Sequence, residues 1–161
     1  KNPLFEALMQ RARAGYAERA IPRGDMHAMV RALKDNLPVW FAPDQDFGHK
    51  HSIFVPFFGV AAATLTATAR LAKLSGARVV PFFAQRMKDG NGYRLVLHPA
   101  LGNFPSGNIE ADTLRINQII EAEIRRHPED YLWVHRRFKT RPAGSPRPYA
   151  EYRRRRRRKT G

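Results

Sequence analysis

Two carboxylates, Asp44 and Asp46, stand two residues apart in the block Ala42-Pro43-Asp44-Gln45-Asp46-Phe47-Gly48, directly after the apolar run Val39-Trp40-Phe41-Ala42. Acidic side chains at the end of a buried strand, beside a Gly that lets backbone approach closely, lie where open α/β sheets bind ligands. They could hold a cation or pair with an Arg; the alternative is an acidic turn that caps its own amides. His49 and His51 flank Lys50. Two ligands with a cation between them fall short of a metal site, and no metal is expected. Ser52 and Ser106 lack a nucleophile elbow. Gly90 and Gly92 lack the spacing of a phosphate-binding loop, so no nucleotide cofactor is implied. With no cysteine among the 161 residues, disulfides, thiolate zinc and a thiol nucleophile are excluded.

These residues need a scaffold, and the hydrophobic pattern outlines one. Asn2-Pro3 starts a helix to about Ala14, with Leu4, Phe5, Leu8 and Met9 at helical spacing. Asp25 caps a second, with Met26, Met29, Val30 and Leu33 on one face, ending near Asn36 before Pro38. Val39–Ala42 reads as a strand buried on both faces, Ile53–Phe58 as an extended segment, and Ala61–Leu74 as a helix. Arg78–Ala84 and Tyr93–Leu97 are strands joined through Asp89-Gly90-Asn91-Gly92 as a hairpin. Ile116, Ile119, Ile120 and Ile124 mark a helix over Asp112–His127, and Glu129–Trp133 adds a further turn. The expected fold class is α/β, a mixed sheet flanked by helices.

Charge divides the chain. The net charge is +15, but residues 1–135 carry seventeen bases and thirteen acids, whereas Arg136 to the end carries twelve bases and one acid. Residues 1–140 are read as folded and 141–161 as a Pro- and Gly-containing, Arg-rich tail, disordered because like charge without apolar residues does not repay ordering. Such a tail attracts polyanions, either anionic lipid headgroups or nucleic acid. No RNA-binding aromatic signature or helix-turn-helix pattern accompanies it, which favours a membrane surface over nucleic acid. The longest apolar run, Ile53–Ala63, is interrupted by Pro56 and Gly59 and is shorter than the roughly twenty residues of a spanning helix.

Several blocks in one order carry a resemblance: Ala42–Gly48, Phe54-Val55-Pro56-Phe57-Phe58-Gly59, Ala61–Thr64, Val79-Val80-Pro81-Phe82 and Trp133-Val134-His135-Arg136-Arg137-Phe138-Lys139-Thr140-Arg141-Pro142. Together they resemble the bacterial lipid A biosynthesis acyltransferases, the late lauroyl and myristoyl transferases of lipopolysaccharide assembly. The resemblance implies an inner-membrane enzyme of the glycerolipid acyltransferase fold, acting at the cytoplasmic face. It would move a fatty acyl chain from acyl carrier protein to a hydroxyacyl chain of a Kdo-bearing lipid A precursor, without a cofactor.

In that family a His with an acidic residue five positions later acts as general base on the acceptor hydroxyl. Here the residues five positions after the six His are Ala32, Phe54, Pro56, Asn103, Leu132 and Thr140, none acidic. No catalytic residue is therefore assigned; the chain is expected to be N-terminally truncated and inactive alone. The resemblance assigns substrate binding to Arg23 of the Ile21-Pro22-Arg23 segment and to Asp44, with Asp46 and Gly48 completing the block. Arg suits a phosphorylated disaccharide because its planar fork makes bidentate bonds to phosphate. A non-catalytic basic protein that binds lipid or nucleic acid is the alternative.

Overall fold

The computed structural model describes residues 3–15, 17–22, 24–146, 148 and 149. The chain forms two compact units, Lys1–Val39 and Trp40–Gly161.

The first unit holds two helices, α1 (Pro3–Ala14) and α2 (Met26–Lys34). As expected, Asp25 caps α2: its side chain accepts the Ala28 amide at 2.9 Å, satisfying one of the donors left open by the first turn. Met29 and Ala32, one turn apart, are the buried residues of α2. Asn36, at φ 61°, ends it, and the Leu37 amide returns to the Ala32 carbonyl. The Asn2 cap lies outside the described residues.

The second unit is built on two antiparallel hairpins. Strand β1 (Ser52–Phe57) pairs with β2 (Val60–Leu65), Ser52 opposite Leu65 and Phe57 opposite Val60. Phe58 and Gly59 make the turn at φ 50° and 73°, the left-handed pair that matches the twist of a two-residue hairpin. Helix α3 (Ala67–Ser75) follows and is closed by Gly76 in the left-handed region. Strands β3 (Phe82–Arg86) and β4 (Tyr93–Leu97) form the second hairpin, around the expected Asp89–Gly92 turn. Helix α4 (Ile109–Arg126) packs on β1 and α3, and leads to one 3₁₀ turn at Pro128–Asp130. Phe57, Ala62 and Ile124 form the core, with Phe58, Ile120, Tyr131 and Phe138 packed against it.

The mixed α/β class holds, but several elements differ from expectation. Pairing among the described residues is antiparallel throughout, in two two-stranded sheets, where a mixed sheet was anticipated. The cause is Val60–Leu65: its Ala content suggested a helix through Leu74, yet the Phe58-Gly59 turn folds it back onto β1, and tertiary pairing outweighs Ala's weak helix preference. Val39–Ala42 is not a strand and Trp40 is 75% exposed; Pro38 and Pro43 bracket the run and remove ladder donors at both ends. Regular pairing in the next strand starts at Phe82, not Arg78, although the His98 and Leu101 amides still reach the Pro81 and Val79 carbonyls. Helix α4 begins three residues early because Asn108 caps it, accepting the Glu110 and Ala111 amides, while Asp112 instead accepts the Ser106 amide.

Arg141 and Tyr149, beyond the anticipated boundary at Thr140, bond to the body of this unit: Arg141 to the Ala61 carbonyl, and Tyr149 Oη as acceptor for the Phe138 amide. The disorder anticipated for 141–161 therefore does not extend to the anchored residues Arg141 and Tyr149, and for residues 147 and 150–161 it lies outside the described residues. Among the described residues no helix is long and apolar enough to cross a membrane. Phe57 is the largest fully buried side chain, so Phe57→Ala should lower the unfolding free energy by about 3–5 kcal/mol, read from urea denaturation.

Candidate functional site

The acidic block and the basic block meet in the second unit. Residues 40–51 run without regular structure into β1, and residues 131–141 follow the 3₁₀ turn. Asp46 joins them. Its Oδ1 accepts the Gly48 amide at 2.9 Å and the Thr140 hydroxyl at 2.8 Å, and its Oδ2 accepts the Thr140 amide at 2.6 Å. Lys139 Nζ lies 3.9 Å from the same carboxylate, which is almost wholly buried. Gly48, at φ 87°, occupies backbone space that a side chain rarely tolerates, so the local turn and the long-range clamp depend on the same pair of residues.

Beneath this clamp Arg137 is buried at 2% exposure. It donates to the Ala63 carbonyl at 2.7 Å, to Thr64 Oγ1 at 2.6 Å and to Asn117 Oδ1 at 3.3 Å, and its guanidinium stands 5.0 Å above the Phe57 ring. Asn117 in turn donates to the Pro56 carbonyl at 2.8 Å and to Thr64 at 3.2 Å. β1, β2, α4 and the C-terminal loop are thereby tied through one polar centre. Burial lowers the Arg137 pKa, while the Tyr131 phenol and the carboxylates of Asp44 and Asp46 oppose that shift. Burial, reinforced by Asp44, pushes the Tyr131 phenol up to about 12 against the pull of Arg137. Asp44 is thus electrostatically linked to half-buried Tyr131 and buried Arg137.

Of the sequence-derived site residues, Asp44, Asp46 and Gly48 share this loop, and Arg23 lies outside the described residues. Arg137, Thr64 and Asn117 were not singled out as polar core residues. Their signal was present: Asn117 sits on the Ile116–Ile120–Ile124 face of α4, and Thr64 ends a run of three alanines. His127, Glu129 and Asp130 bring ligand-type atoms within 4.8 Å of one another, but Asp130 is already the acceptor for the Arg86 amide.

Residues 1–140 match the family described as bacterial lipid A biosynthesis acyltransferase, so both ends of the clamp, Asp46 and Thr140, fall inside the match. The chain belongs to that family. It is 43% identical over 149 residues to the lipid A biosynthesis lauroyltransferase of Escherichia coli (strain K12), covering 92% of this chain and 49% of the relative. It is 44% identical to the palmitoleoyltransferase of the same organism, over 92% and 48% of the two chains, and 32% identical to its myristoyltransferase, over 92% and 46%. The chain therefore spans about half the length of these relatives. In this family member the acidic block, marked in sequence for substrate contact, is also a structural fastener.

Two outcomes test the site. Arg137→Ala takes a donor from three buried acceptors, of which Thr64 Oγ1 keeps Asn117; the other two, left unpaired at about 1–3 kcal/mol each, should lower stability by at least about 2 kcal/mol in urea titration, and Arg137→Lys should rescue only part, because an ammonium lacks the fork. For Tyr131, the folded phenol keeps its proton up to about pH 12 while an ordinary phenol releases it near 10.0. Stability must then fall as pH rises through that interval, and Tyr131→Phe should flatten the slope of the thermal midpoint there.

Proposed function

We propose that this chain supplies the acceptor-binding portion of a lipid A biosynthesis acyltransferase working at the cytoplasmic face of the inner membrane. The reaction moves a fatty acyl group from the thioester of acyl carrier protein to a hydroxyl on a hydroxyacyl chain of a Kdo-bearing lipid A precursor. The hydroxyl oxygen attacks the thioester carbonyl, its proton goes to a general base, the carbon–sulfur bond breaks, and the carrier thiol takes up a proton. Ester replaces thioester, so no external oxidant, metal or cofactor is required.

The observation that carries this reading is the Asp46–Thr140 clamp between two of the blocks that resemble the family, with Asp44 held close enough to buried Arg137 and half-buried Tyr131 to act on both electrostatically. Asp44 binds a sugar hydroxyl of the acceptor, Arg23 a phosphate, and Asp46 with Gly48 holds the loop in place. The base is a His with an acid five residues later, a pairing that none of the six His here makes. The relatives are named for lauroyl, palmitoleoyl and myristoyl transfer, so the chemistry common to them is acyl transfer in lipid A synthesis and not one chain length.

The test is transfer of radiolabelled lauroyl, palmitoleoyl or myristoyl groups from acyl carrier protein to a tetra-acylated, Kdo-bearing acceptor. A protein carrying these residues together with the base pair should turn over; residues 1–161 alone should not. In the active protein, Arg23→Ala and Asp44→Ala should each cut kcat/KM by about ten- to a hundredfold, the worth of a charge-assisted hydrogen bond, in variants that still unfold cooperatively; Asp44→Ala, which removes a charge that favours buried Arg137, should also lower the unfolding midpoint. Wild-type rates in both variants would overturn the assignment.

A further inference from the structure

A groove of about 550 Å³ opens in the second unit between His49 and the stretch from Arg136 to Tyr149. Three permanent cations, Arg136, Lys139 and Arg141, line it, and among the described residues no lining residue is acidic. The cations are held in different ways. Arg141 is fixed in the wall by the neutral carbonyls of Ala61 and Pro146, so its contacts do not cancel its charge. Lys139 donates to the Asp46 backbone carbonyl at 3.2 Å with its side chain half-exposed. The Asp46 carboxylate, 3.9 Å from Lys139 Nζ, offsets part of that charge while its own hydrogen bonds go to Thr140 and Gly48. Arg136 is exposed at the rim. Ser145 and Tyr149 add hydroxyls, and Pro142 and Pro148 restrict the backbone of the far wall.

We infer that this groove binds a phosphate ester, at a site separate from Arg23. A guanidinium held in the wall, as that of Arg141 is, matches phosphate oxygens in geometry as well as charge and loses little entropy on binding. Phe138 provides an apolar surface for the group that carries the phosphate. If the acyltransferase reading holds, and only for the choice of source, the ester is either the phosphomonoester on the glucosamine disaccharide or the phosphodiester of the phosphopantetheine arm on acyl carrier protein. The shared chemistry is the same: a phosphate seated against two or three cations.

The experiment is an amide-resolved NMR titration of the 161-residue chain with glucosamine 1-phosphate, a phosphomonoester, and, separately, with the methyl phosphodiester of 4′-phosphopantetheine; glucosamine and pantetheine serve as phosphate-free controls. The expected result is a saturable shift of the His49, Thr140, Gly144 and Ser145 amides with at least one phosphate ester and none with its control. Whichever ester binds identifies the source. Arg136→Gln with Lys139→Gln should weaken binding by about tenfold or more while the spectrum stays native; Arg136→Gln alone, at an exposed position, should show a smaller loss in the same direction. Shifts confined to residues 150–161, equal shifts with the phosphate-free controls, or unchanged affinity in both variants would overturn the inference. Because the titration reads binding without turnover, a silent groove leaves acyl transfer standing, and failed transfer leaves the groove standing.

Discussion

A guanidinium withdrawn from water beside β2 sets the arrangement of the larger unit. Moving a cation into that position carries a desolvation penalty of several kcal/mol, which must be offset by hydrogen bonds and nearby charge. Arg137 obtains both: three oxygen acceptors from β2 and α4, the face of the Phe57 ring, and the field of Asp44 and Asp46. Its acceptors lie at positions 63, 64 and 117, so the cross-link closes loops of about twenty and about seventy residues at one point. Removing one member of such a network strands the rest, which makes it a specifier of arrangement as well as a source of stability.

From that anchor the position of the loop over 131–141 follows, and from the loop follows the acidic block. Thr140 is placed three residues beyond Arg137, where its amide and hydroxyl converge on Asp46. With Asp46 spent on the clamp, the neighbouring carboxylate takes a different part. Asp44 makes its mark through charge, raising the Tyr131 pKa and opposing the depression of Arg137. Two acids two residues apart thus divide into a fastener and a charge that acts on the core from its edge.

The sequence disclosed whichever features depend on local chemistry. Asp25 as a cap, the Gly-rich β3–β4 turn, and the isoleucine face of α4 are set within a few residues of chain. Features set at a distance were harder to see. Val60–Leu65 is a strand only because β1 stands opposite, and nothing in Val-Ala-Ala-Ala-Thr-Leu announces that partner. The Phe58-Gly59 turn was the available clue, since the second residue of a left-handed pair favours Gly. The block Asp44–Gly48 stood out by composition, whereas its attachment to Thr140 spans 94 residues and could come only from coordinates. Arg137 was hidden for another reason: in a segment with so many bases, the buried one looks like its neighbours.

That concealment has a physical basis in the way the segment Arg136–Arg141 distributes its charge. Adjacent residues in an irregular stretch point in different directions, so Arg136 stays in solvent while Arg137 enters the core. Lys139 returns to the surface over Asp46, and Arg141 reaches the Ala61 carbonyl on the hairpin. A buried Arg can make several directional bonds to carbonyl and hydroxyl oxygens, whereas a Lys ammonium is strongly hydrated and favours an exposed position. The identities follow that division, with Arg137 inside and Lys139 outside. The buried cation anchors the loop from which the outward charges project. Cations on an anchored loop differ from those on an unanchored chain: the first can match the geometry of one anion, while the second attract all of them and lose their grip together as salt rises.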